Sequence, residues 1–259
     1  MSPQIVTRIE ERTAGRVAWV VVDNTAKLNV INSPLCRDLV TAFTALAGDV
    51  ALRCVVLTGA GERAFIGGAD IREMAGLTPT TGRAFITLVH QVCRSIRTLP
   101  VPVIARMQGF ALGGGLEVAA ACDMRIAAED SVMGMPEVRM GVPSVVEAAL
   151  LPHLIGWGRT RRILFTGETF GAARALEWGL VEEVVPAAEL DAAVERVLAD
   201  LLASGPRAIR LQKALIAQWE GLAPEAAIVA GIDCFAESWT TPEPTERMTE
   251  FLAAKKKPA

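Results

Sequence analysis

Two spacings of hydrophobic residues divide this chain. Residues 5–11 and 17–22 are rich in β-branched side chains and are separated by Thr13-Ala14-Gly15-Arg16, which predicts a hairpin entering a sheet. Residues 54–57 form a short, wholly apolar run bounded by Gly59-Ala60-Gly61, the pattern of a strand covered on both faces. Residues 103–105 and 123–128 read as further strands, and 133–143 as a loop. Between the strands apolar residues recur at helical spacing. Leu35, Leu39, Phe43 and Leu46 follow Ser33 as N-cap and Pro34 in the first turn. Phe85, Leu88, Val89, Val92 and Ile96 mark a helix over 81–98, closed by Pro100 and Pro102. From residue 159 the helical period dominates, in 159–166, 171–178, 190–203, 206–220, 224–239 and 242–255, with one strand at 181–185. The pattern predicts an α/β core of strand-strand-helix units over residues 1–203 and a helical region over 204–259.

Composition narrows the function classes. Half of the 259 residues are hydrophobic, 21% are charged and the formal net charge is −3, so a large core is affordable and no nucleic-acid footprint is present. Lys255-Lys256-Lys257 is the one basic cluster and reads as a solvated terminus. The apolar runs are broken by Gly, Pro or charge well before 18 residues, and no secretory pattern opens the chain, so no membrane partner and a cytoplasmic location are expected. Five scattered cysteines (Cys36, Cys54, Cys93, Cys122 and Cys234) offer neither a disulfide framework nor a CxxC pair, and they fit a reducing compartment.

Candidate chemistry gathers at two glycine-containing stretches. Gly109-Phe110-Ala111-Leu112-Gly113-Gly114-Gly115-Leu116-Glu117 runs from an apolar segment into a helix-like one carrying a single carboxylate. Glycines admit a ligand close to the backbone, and the N–H groups of a first helical turn favour negative charge. The same glycines would serve equally to relieve crowding of a helix on a strand. Residues 67–69 form the second stretch, and Glu117 and Glu137 lie near the two in sequence. Two fixed N–H donors and two carboxylates are the parts of an oxyanion site with acid–base groups, but a helix-start glutamate and a surface loop glutamate are equally consistent with the spacing. His90, inside an amphipathic helix, and His153, after Pro152 in an apolar segment, are the only histidines and read as structural. Neither a Gly-x-Ser-x-Gly elbow, a P-loop nor a metal constellation is present.

Essentially the whole chain resembles the crotonase superfamily of enoyl-CoA hydratases and isomerases. The resemblance is carried by Ala64-Phe65-Ile66-Gly67-Gly68-Ala69-Asp70-Ile71, by the Gly109-to-Glu117 stretch, and by Met135-Pro136-Glu137 twenty residues after Glu117. Leu164-Phe165-Thr166-Gly167-Glu168 and Ala175-x-x-x-Gly179-Leu180-Val181 add to it. It implies a crotonase-like spiral whose helical C-terminal region builds trimers that often pair into hexamers. It also implies an acyl-CoA substrate, with no metal and no redox cofactor. Ala69 and Gly114 would supply the oxyanion N–H groups, Glu117 would handle the water at the β-carbon, and Glu137 the proton at the α-carbon. Lys27, Leu28, Ala64, Ile66, Gly68, Asp70 and Arg72 would border coenzyme A, Arg72 by meeting a phosphate. Phe251 and the terminal lysines would complete a neighbouring subunit's site. Hydration of a 2-enoyl-CoA is the expected reaction, because both carboxylates are retained; isomerisation and acyl-CoA binding without catalysis are the alternatives. One departure stands out. Where the hydratases carry a Pro-Gly-x-Gly-Gly-Thr-like loop, this chain has Val142-Pro143-Ser144-Val145-Val146-Glu147-Ala148, which adds a third carboxylate at Glu147, read as a helix-start residue.

Overall fold

The computed structural model describes residues 2–255. By internal packing the chain divides into two units, Met1–Val197 and Leu198–Ala259.

The first unit opens with strands β1 (Gln4–Arg12) and β2 (Gly15–Asp23), an antiparallel hairpin in which Arg12 pairs with Gly15. Helix α1 (Ser33–Ala47) follows, and Asn32 is its N-cap through a side-chain oxygen that accepts from the Leu35 N–H. Ser33 was the expected cap. It stands instead one residue inside the helix, where its hydroxyl and N–H donate to the Glu73 carboxylate. The helix buries Leu35, Cys36, Leu39, Phe43 and Leu46, the stripe that its period predicts.

Strand β3 (Leu52–Gly59) is buried throughout. After it come β4 (Ala64–Ile66), the single turn α2 (Ile71–Met74), and α3 (Pro79–Arg97). The last starts two residues earlier than expected because Thr78 and Thr81 close a reciprocal capping box. Strands β5 (Val103–Met107) and β6 (Phe110–Leu112) lead into α4 (Gly114–Ala121), then β7 (Met124–Ala128) and β8 (Val132–Gly134). The segment expected as a loop after residue 133 thus holds the end of a strand and a 3-10 turn, Pro136–Met140. A second 3-10 turn, Val146–Leu150, runs into α5 (Leu151–Thr166), which kinks at Gly156. Strand β9 (Thr169–Gly171), α6 (Ala172–Trp178), β10 (Glu183–Val185) and α7 (Leu190–Ala203) follow.

The strands sort into two sheets, ordered β1-β2-β3-β5-β7-β10 and β4-β6-β8-β9. From β3 to β8 the chain alternates between them, β3 then β4, β5 then β6, β7 then β8; β9 then stays in the short sheet and β10 returns to the large one. Each strand-strand-helix unit therefore adds a strand to each sheet. Polar side chains buried at these crossings tie them together. Gln108 donates to the carbonyls of Gly59 (2.6 Å) and Gly61 (3.0 Å), and Asn29 to those of Ala60 (2.9 Å) and Ala64 (2.8 Å).

In the second unit, α8 (Pro206–Trp219), α9 (Pro224–Ser238) and α10 (Glu243–Lys255) pack as helices. Glu243 receives the N–H groups of Arg207 and Ala208, both at 3.0 Å, and so caps α8 from another helix. No helix among the described residues is long and apolar enough to cross a membrane.

Candidate active site

The short sheet assembles the site. Strand β4 pairs with β6, and β6 with β8, all parallel, so the chain leaves three neighbouring strands at residues 67, 113 and 135. The first exit carries Ala69, the second opens α4 at Gly114, and the third delivers Glu137.

Close approach explains two of the glycines. A Cβ on Gly115 would lie 2.0 Å from the Ile66 carbonyl oxygen, so the start of α4 rests directly on β4 backbone. Gly113 has φ 52° and donates its N–H to Gly134 O at 2.9 Å; a Cβ there would stand 2.6 Å from Glu137 Oε1. A Cβ on Gly114 would lie 4.0 Å from Glu117 Oε2. Consecutive glycines thus face the two carboxylates. Among the described residues neither the Ala69 nor the Gly114 N–H is spent on another protein group, as a pair of anion donors requires.

Glu117 is buried, with 3% of its surface exposed. Its Oε1 accepts the Ala148 N–H at 3.2 Å. Burial, reinforced by the Glu137 charge, pushes its carboxyl up to about 8. Glu137 is half-buried, and burial raises its carboxyl too, against the pull of its own backbone N–H and of the Ser144 hydroxyl, which donates to Oε2 at 2.8 Å. The Glu137 charge helps raise Glu117, so at neutral pH the pair favours one proton over two carboxyls, a state in which one member can act as acid and the other as base.

Sequence reasoning missed three contributors. Ser144 and Ala148 lie in the segment that departs from the hydratase pattern, and each bonds one carboxylate. His90, read as structural, places Nδ1 2.8 Å from Glu147 Oε1. Glu147 is itself buried beside Glu117.

The residues expected to border a nucleotide fall in one neighbourhood. Lys27 Nζ lies 2.9 Å from Asp70 Oδ2, while Asp70 Oδ1 accepts the Arg72 N–H at 2.9 Å and caps α2. Leu28, with φ 57°, accepts the Gly67 N–H at 2.8 Å. Gly68 directs its carbonyl to the Ile31 N–H, and the Arg72 side chain is exposed. Ala64 and Ile66, expected to border coenzyme A, are buried in the core, with 1% and 0% of their surface exposed, so neither presents side chain or backbone to a ligand in this chain. Phe251 is exposed beneath Lys255 Nζ, 4.7 Å from its ring; Lys256 and Lys257 lie outside the described residues. Among the described residues no group of three or more His, Cys, Asp or Glu side chains could hold a metal ion.

A family model for enoyl-CoA hydratase/isomerase matches residues 12–259. This chain belongs to the enoyl-CoA hydratase/isomerase family. Its relatives include a short-chain-enoyl-CoA hydratase of Clostridium acetobutylicum, 34% identical over 93% of each chain. A crotonyl-CoA hydratase of Syntrophomonas wolfei is also 34% identical, again over 93% of both. Among solved structures, the enoyl-CoA hydratase of Bacillus anthracis superposes with a TM-score of 0.90 at 30% identity over 98% of each chain. That of Mycobacterium smegmatis gives 0.92 at 27% identity, over 100% of this chain and 99% of the other. The crotonase-type α/β fold expected from the motifs is the fold observed, including the run of C-terminal helices that the family shares.

Proposed function

We propose that this member of the family is an enoyl-CoA hydratase that adds water reversibly across the 2,3 double bond of a 2-enoyl-CoA. The observation that carries the reading is the placement of Glu117 and Glu137 against consecutive glycines at the start of α4, with both carboxyls raised. The thioester oxygen accepts the N–H groups of Ala69 and Gly114, which stabilise the enolate as negative charge moves onto it. At neutral pH the pair's proton rests mainly on Glu117; in the tautomer that reacts it has passed to Glu137, and the ionised Glu117 takes a proton from water as the oxygen bonds to C3. Glu137, in its protonated form, gives its proton to C2. One water is added in total, and exchange between the carboxyls and solvent restores the starting state. Delivery of both parts from one side of the planar enoyl group makes the addition syn. Every step uses protein groups, and the reading includes no metal or redox cofactor.

In this reading the coenzyme A moiety runs along Lys27, Leu28, Gly68, Asp70 and Arg72. Assembly as a trimer or a pair of trimers belongs to the same reading. It is supported by Ile228, Ile232 and Phe235, which form one stripe on α9 continued by Trp239 at its C-cap, each at least 46% exposed. Five free cysteines, four of them buried, support a cytoplasmic location.

The test follows loss of the conjugated enoyl-thioester absorbance with crotonyl-CoA across pH. Hydration is expected at neutral pH, with a rate that falls above about pH 8 as the pair loses its shared proton. Conversion of a 3-enoyl-CoA without hydration of any 2-enoyl-CoA would make the chain an isomerase. Tight thioester binding with no turnover would make it a binding protein.

A further inference from the structure

Glu147 is a buried carboxylate that the reaction does not consume. It is 7% exposed and sits in the 3-10 turn 146–150, which packs against both α3 and α4. From α3, His90 Nδ1 meets its Oε1 at 2.8 Å, and the Cys93 thiol faces the same carboxylate. From α4, Glu117 faces it, with Glu137 beyond. Its Oε2 has no hydrogen-bond partner among the described residues, and His90 is the side chain that meets its other oxygen. An unpaired buried carboxylate oxygen is expensive. The turn is also strained, because its first residue, the β-branched Val146, has φ 40°. The residue just after Glu147 is Ala148, whose N–H holds Glu117 Oε1 at 3.2 Å.

We propose that the His90–Glu147 pair is a positioning device for Glu117. Clamping Glu147 to α3 fixes the strained turn, and the turn aims the Ala148 N–H at the carboxylate that handles water. Glu147 also adds negative charge next to Glu117, which strengthens the hold of Glu117 on its proton. The pair therefore acts twice on one group, and the two actions have opposite signs. The N–H bond favours the ionised form of Glu117, whereas the Glu147 charge favours the protonated form. The inference rests on the hydratase reading for its catalytic consequence only.

The opposite signs make the test specific. The Glu117 carboxyl is titrated by isotope-edited infrared spectroscopy, with Glu117→Gln identifying its band. In Glu147→Gln the shape is kept and the charge lost, so the Glu117 titration should move to lower pH by about one unit. In His90→Leu the clamp is lost and the Ala148 bond loosens, so the titration should move to higher pH. His90→Asn, which returns a donor near the position of Nδ1, should reverse that shift. Turnover of crotonyl-CoA should follow: His90→Leu is expected to lower kcat roughly tenfold with KM within about twofold, and His90→Asn to recover most of the loss. In Glu147→Gln the alkaline limb of the rate profile should move down with the titration. A Glu117 titration unchanged in both folded variants overturns the inference, as does a shift in the same direction in both. If Glu147→Gln does not fold, His90→Leu decides alone, since its side chain is 47% exposed: an upward shift supports the clamp and no shift overturns it. If the wild-type chain hydrates nothing, the hydratase reading fails while the titrations still decide the positioning role.

Discussion

Burial raises the Glu117 carboxyl from an ordinary 4.5 to about 8, so the folded chain binds this proton more tightly than the unfolded chain does. Below about pH 4.5 both states carry the proton and the group contributes its full stability. Between 4.5 and about 8 only the folded state carries it, and stability is lost as pH rises through that window. Glu117→Gln removes the penalty. Its Tm should match wild type at pH 4 and exceed it increasingly up to about pH 8, as measured by calorimetry across pH; a difference independent of pH would contradict the assignment. Catalytic need and stability oppose each other at this residue. Glu137 carries the complementary prediction. Glu137→Gln should lower kcat for crotonyl-CoA by ~10²-fold or more, with thioester affinity by calorimetric titration within about twofold. Near-normal turnover would remove Glu137 from the proton path.

Helix α4 links these side chains to the frame. Its first turn rests on β4 without an intervening side chain, and its far end is held by Arg125, a buried residue on the following strand. The Arg125 guanidinium donates to the carbonyls of Cys122 (2.7 Å), Ala119 (3.4 Å) and Leu180 (2.7 Å) and pairs with Glu182. A cation there complements the negative end of the helix. Arg125→Met should destabilise the fold on the order of 2–3 kcal/mol in urea unfolding, because buried carbonyls lose charged donors. A loss below half a kcal/mol would show that α4 is held by packing alone. The sequence revealed α4 but not its anchor. Periodicity reports which face of an element is buried, and it recovered the stripes of α1 and α3 almost residue for residue. It is silent on partners far apart in the chain. For this reason Arg125 with Leu180, and His90 with Glu147, emerged only when packing brought them together. The two 3-10 turns were missed for a related reason: five residues have no repeat to read. Ser33 was mistaken for a cap because Asn32, just before it, offers the same chemistry.

At the scale of the molecule, the exposed stripe on α9 is the clearest feature that a lone chain leaves unexplained. A change to Glu at both Ile232 and Phe235 should shift the protein to a smaller species in analytical ultracentrifugation while leaving its helical content intact. An unchanged sedimentation coefficient would exclude this face from the assembly. The roles proposed for Glu117, Glu137, Ala69 and Gly114 are suggested as a set only by the family motifs, since spacing left a packing use of the glycines open. The alternation of strands between two sheets explains why such distant residues can meet. Each exit from the short sheet follows a strand of only three residues, and the Gly113 N–H bonded to Gly134 O joins the second exit to the third. So few rungs leave little room for partial loss. In hydrogen exchange the amides of residues 64–66, 111–113 and 132–134 should open as one cooperative unit, at a lower free energy than β3 at the centre of the large sheet. The catalytic apparatus would then disappear and return as a whole, without passing through states that keep one carboxylate and lose the other.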